Sequence, residues 1–162
     1  MLLSSTREHD YTKSHSMNKP TIEDIRKVIA LRDLPDDHLK WILDRSEYVE
    51  FEDGQLLFKT GQPIDVMWLI FEGKVEFYLD NNGKLTHYFT FENDEETGGA
   101  GGVLPYSRLK TSPGNSYSVG KSKAIQLHKK YFPELEQLNP SLIQRLVAYM
   151  TERARHFATQ KL

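Results

Sequence analysis

Three glycines set the tightest constraint on this chain. Residues 51–76 read FEDGQLLFKTGQPIDVMWLIFEGKVE, and Gly54, Gly61 and Gly73 divide short runs of apolar, β-prone residues. Gln55-Leu56-Leu57-Phe58, Val66-Met67-Trp68-Leu69-Ile70 and Lys74-Val75-Glu76-Phe77-Tyr78 predict three strands joined by tight turns. Glycine at each corner answers a need for positive φ or close backbone approach, which a Cβ obstructs.

Composition narrows the function classes. A net charge of -2 over 162 residues offers no electrostatic case for nucleic acid or an anionic membrane surface. The chain has no cysteine, hence no disulfide framework, thiolate nucleophile or Cys-based zinc site, which fits a reducing cytoplasm. Residues 64–71 form the most apolar run, far short of a membrane span, and the start of the chain is too short and charged for a signal peptide. The six histidines show no His-x3-His or His-Glu-x2-His spacing. Gly120-Lys121-Ser122 lacks the earlier glycine of a P-loop, and Ser107 has no Gly-x-Ser-x-Gly frame. The chain reads as non-catalytic.

Taken in order, residues 1–19 show no periodicity and are expected to be a disordered leader. Thr21 with Asp24 predicts a capped helix start, with Ile22, Ile25, Val28 and Ile29 on one face. A second short helix follows Pro35, turning Leu39, Ile42 and Leu43 inward. After Gly73, Asp80-Asn81-Asn82-Gly83 predicts a tight hairpin between two strands. Strands resume at residues 117–119 and 124–128, a short helix begins at Phe132-Pro133, and Asn139-Pro140 opens a long last helix.

The Gly-x6-Gly-x11-Gly spacing, with apolar residues before Gly73 and Val75 after it, resembles the cyclic-nucleotide-binding domain of catabolite-activator proteins, kinase regulatory subunits and gated channels. The resemblance implies an α+β, mainly β fold: an eight-stranded antiparallel jelly-roll β-barrel flanked by N-terminal helices and a long C-terminal helix. Residues 20–140 would form the helical prelude and barrel, and residues 141–162 the dimerisation or linker helix. It also implies a ligand, cyclic AMP, cyclic GMP or another small anion, with no nucleic acid or membrane partner.

In the resembled family a phosphate-binding cassette offers helix N-terminal amides and an arginine to the cyclic phosphate, and a glutamate to the ribose. Matching that cassette residue by residue assigns Gly98, Gly99, Gly101, Gly102, Val103, Leu104, Arg108 and Ser118 to the ligand site. Gly99 stands where the family has its ribose glutamate, so the cassette is degenerate and an Arg108-held phosphate is the contact that remains. The residues leave other readings open. The glycine run also reads as a flexible connector, Arg108 as a solvated arginine, and Tyr106 as a plug for the mouth of the fold.

The last helix carries Ile143, Leu146, Met150, Arg153 and Phe157 at 3-4-3-4 spacing, a coiled-coil-like seam with one charged violation. It predicts either a homodimer or a helix that covers the domain. Leu104-Pro105-Tyr106-Ser107-Arg108 and the Met150, Arg153, Arg155 pattern are also similar to input domains of bacterial sensor histidine kinases. The functional expectation is a signal-transduction input module, with a kinase fused downstream as the implied output. The alternative is a structural domain that binds no ligand and docks a partner.

Overall fold

The structure, a computed structural model, describes residues 19–161, with side chains through residue 153 and at Arg155. The expected leader therefore lies outside the described residues except for Lys19, as does the side chain of the seam position Phe157. The element order is helix α1 (Ile22–Arg26), a 3-10 turn (Ile29–Leu31), helix α2 (Asp36–Arg45), strands β1 (Glu47–Phe51), β2 (Leu56–Phe58), β3 (Val66–Asn81), β4 (Lys84–Glu92), β5 (Ala100–Gly102) and β6 (Gly114–His128), then helices α3 (Phe132–Leu138) and α4 (Pro140–Lys161).

The eight-stranded barrel is not what forms. The six strands make one antiparallel sheet in the order β1-β6-β3-β4, with β2 on β6 and β5 on β3, and β1 and β4 lie at opposite ends without pairing. The sheet stays open. The count of eight was what the resemblance implied, and the segments read as separate strands include two pairs that are each one bent strand. Residues 66–70 and 74–78 belong to one continuous β3, whose pairing with β6 slips on either side of Glu72. At Gly73, with φ of 89°, a Cβ would lie 2.4 Å from the Ser122 hydroxyl oxygen and 2.6 Å from the Lys121 carbonyl oxygen. Glycine thus bends a strand here instead of ending it. Residues 117–119 and 124–128 are likewise one strand, β6, passing through Gly120.

Other local expectations hold. Thr21 accepts from the Asp24 amide while the Asp24 carboxylate accepts from the Thr21 amide, a reciprocal cap. Asn82 and Gly83 both adopt positive φ in the hairpin, and the Gly83 amide donates to Asp80. Asn139 Oδ1 accepts from the Leu142 amide at 3.0 Å and caps α4.

Two apolar clusters fill the molecule. One joins Ile25, Leu31, Leu39 and Ile42 of the N-terminal helices to Leu127, Leu135, Leu142, Ile143 and Leu146. The other fills the sheet interior with Phe51, Phe58, Trp68, Ile70, Val75, Phe91 and Val103. The first half of the α4 seam is therefore spent on the chain's own core. A backbone clip adds to this: the Ala30 amide donates to the Gly98 carbonyl at 3.0 Å, and the Ala30 carbonyl accepts from Arg145 of α4 at 2.6 Å.

Candidate functional site

The sheet interior, the loop between β5 and β6, and α4 enclose a cavity of about 580 Å³. Its floor is aromatic, with Phe77 from β3, Phe89 and Phe91 from β4, and Phe58 from β2. Leu104, Tyr106 and Leu109 approach from the loop, and Met150, Thr151 and Arg153 from the helix. Arg108 and Arg153 line it, and no acidic side chain does among the described residues. A pocket of this size with an apolar lining and few polar groups suits a small molecule.

Of the eight cassette residues, the structure brings Gly102, Leu104 and Arg108 to this cavity. The other five lie elsewhere. Gly98 sits against the Tyr149 ring, where a Cβ would come within 2.2 Å. Gly99 faces the Ile70 carbonyl, Val28 and Asn93. Gly101 lies against the Phe91 ring, and Val103 is buried in the sheet interior. The Ser118 hydroxyl donates to the Gly120 carbonyl at 2.7 Å and pairs with Ser122 at 2.8 Å, closing the bend in β6. Ser116, two residues earlier and on the same face of the strand, reaches the cavity instead.

The glycine run is ordered structure, not a flexible connector. Its amides are spent internally: Gly98 donates to Asp94, Gly99 to Glu92, Ala100 to Thr97, and Val103 to Val66. Residues 103–113 contain no helix, so the N-terminal donors implied by the family cassette are not assembled there. Arg108 is exposed and makes no ion pair or side-chain hydrogen bond among the described residues.

Tyr106 holds the mouth of the cavity. It has φ of 68°, rare for a residue with a side chain, and is 64% exposed. Its hydroxyl lies 2.6 Å from each Glu136 oxygen, tying the loop to α3, and this bond raises the phenol's pKa ahead of the smaller effect of burial.

In the sequence Arg153 is a charged violation of the seam and part of the Met150, Arg153, Arg155 pattern, with no place in the ligand site. In the structure its guanidinium donates to the Ala100 carbonyl and lies over the rings of Phe89 and Phe91, 5.2 Å and 5.7 Å from their centroids. Its Nε is buried with no hydrogen-bond partner among the described residues. Burial lowers its pKa to about 10, opposed by the more distant charge of Asp94, so it stays charged at neutral pH. The signal was present in the sequence, because a charge on an otherwise apolar stripe needs a reason.

Among the described residues no group of three or more His, Asp or Glu side chains is placed to hold a metal ion, and no helix is long and apolar enough to cross a membrane. No family model matches the chain, and no curated protein matches it. Solved structures do match it. The regulatory domain of Toxoplasma gondii protein kinase A with cyclic AMP aligns at a TM-score of 0.66 and 20% identity, over 87% of this chain and 51% of that one. The regulatory subunit of a cyclic-AMP-independent protein kinase A from Trypanosoma cruzi, bound to guanosine, gives 0.68 and 16%, over 93% and 50%. The Thermus thermophilus catabolite activator protein gives 0.64 and 15%, over 82% and 60%. The chain spans about half the length of the two kinase subunits. The likeness is one of fold, shared with these kinase regulatory subunits and the catabolite activator protein.

Proposed function

We propose that this chain is a sensory regulatory module in which a small molecule occupies the cavity and α4 passes the occupancy on. One observation carries the reading: the same helix completes the core with Leu142, Ile143 and Leu146 and walls the cavity with Met150, Thr151 and Arg153. A ligand cannot fill that space without meeting the helix. The two runs that resemble sensor histidine kinase inputs also converge there, since Leu104, Tyr106, Ser107 and Arg108 face Met150 and Arg153 across one cavity. A kinase is the output we assign on that resemblance. Cyclic AMP and guanosine accompany two of the fold neighbours, and cyclic nucleotides are accordingly the first ligands to titrate.

Calorimetry with cyclic AMP, cyclic GMP and a cyclic dinucleotide, paired with amide hydrogen exchange across residues 140–155, tests the reading. Saturable binding that changes protection around Met150 and Arg153 supports a sensor. Saturable binding with unchanged exchange in α4 overturns the coupling. Loss of nucleotide binding in Arg108→Ala places the phosphate at the cassette arginine, whereas silence with all three nucleotides removes that ligand class.

A further inference from the structure

The cavity has an unusual combination of properties. Its walls are mainly aromatic and aliphatic, and among the described residues its only charged lining side chains are Arg108 and Arg153, with no carboxylate to accept from the hydroxyls of a sugar. A smaller neighbouring cavity of about 370 Å³ also touches Arg153, but Glu96 and Glu152 line that one and repel an anion. Arg153 lines both spaces.

A buried guanidinium with an unpartnered N–H is costly to keep. The Ala100 carbonyl takes one of its five donors, and two phenyl rings stack on it without hydrogen-bonding its edge. Asp94, whose charge acts on it through space, forms no ion pair with it among the described residues and instead accepts from the Thr97 amide and hydroxyl at 2.8 Å each. The charge is therefore held beside an apolar chamber with bonding capacity to spare. Guanidinium presents Nε and a neighbouring Nη side by side, at a spacing that matches the two oxygens of one carboxylate.

We propose that the cavity takes an amphipathic carboxylate, a hydrocarbon or aromatic body ending in one carboxyl group, with Arg153 as its anchor. This names the ligand class for the sensory reading above and rests on it. The apolar body fills the space among Phe58, Phe77, Phe89 and Leu104. The carboxylate takes guanidinium donors that the Ala100 carbonyl leaves free. Occupancy then competes with the Ala100 carbonyl for the guanidinium, which connects the ligand to α4.

The test uses decanoate and decanol as probes, titrated calorimetrically into the whole chain and its R153M, R153K and R108M variants. Wild type is expected to bind both. R153M keeps an apolar stem of similar length and is expected to weaken decanoate about ten- to a hundredfold while leaving decanol within about twofold. Retained decanol binding also shows that the variant is folded, and R153K is expected to fall between wild type and R153M. Equal weakening of both probes in R153M overturns the anchor. A decanoate loss larger in R108M than in R153M assigns the anion to the loop arginine and overturns it too. Binding of neither probe to wild type overturns the ligand class. The sensory reading fails by a different result: a ligand that binds and leaves α4 hydrogen exchange unchanged.

Discussion

Two sets of glycines bracket the sheet, and they are there for different reasons. Gly54 and Gly61 stand at corners where a Cβ would meet nothing within 4 Å, so only their positive φ matters. The run from Gly98 to Gly102 has the opposite character. There a Cβ would strike the Tyr149 ring, the Ile70 carbonyl, the Phe91 ring or the Val66 carbonyl. The corners shape the chain, and the run lets other elements approach it. A repeated residue in sequence thus conceals two separate constraints, one on the local backbone and one on tertiary contact.

The sharpest way to break this contrast is Gly102→Ala. The position combines a φ of 74° with the Val66 carbonyl oxygen 2.5 Å from an added Cβ. A loss of about 3 kcal/mol or more is expected in chemical denaturation, because a backbone atom cannot swing aside as a side chain can. A loss under about 1 kcal/mol would place this glycine with the corners.

Arg153→Met probes the same region from the helix side, with an expected change between zero and a gain of about 2 kcal/mol at neutral pH. The sign follows from burial. The folded state lowers the guanidinium pKa from its ordinary value to about 10, so the charged form is disfavoured in the fold. That cost is present in full below about pH 10 and declines as pH rises from there toward the ordinary guanidinium pKa. Any advantage of the variant should therefore shrink in strongly alkaline buffer. A loss above about 2 kcal/mol at pH 7 would make Arg153 a structural tie, with its Ala100 bond and ring contacts outweighing the buried charge.

The smallest effects belong to the corners. Gly54→Ala and Gly61→Ala are each expected to cost about 1 kcal/mol, the strain of a Cβ at positive φ with no contact added. Their urea midpoints should fall together, and the exchange pattern of α4 should be unaltered. A much larger loss at either corner would reveal packing that the open space around it does not contain.

The sequence made local geometry legible wherever one or two residues determine it. The Thr21 cap, the Asn82-Gly83 turn and the Asn139 cap each rest on hydrogen bonds within three residues. The division into strands failed because Gly73 and Gly120 mark bends inside long strands, and a bend and an end have the same composition. Arg108 and Leu104 were placed at the cavity by matching to a family pattern. Ser118 was matched two residues beyond Ser116, the serine of β6 that lines it, because the loop of residues 103–113 departs from the pattern. Arg153 could not be assigned from its own neighbourhood, since its carbonyl partner is 53 residues away in sequence. Burial of a lone charge is a property of the assembled fold.

The fastening of α4 has a mechanical consequence. The helix is held in its first third by Arg145 on the Ala30 carbonyl and farther along by Arg153 on the Ala100 carbonyl. Eight residues separate the two arginines, about 12 Å along a helix axis. With both attachments made, the segment is pinned at two points and cannot swing. Release at Arg153 leaves Arg145 as a fulcrum, with the distal turns as the long arm. A shift of a few tenths of an ångström at the guanidinium is then magnified in proportion to the length of helix beyond it.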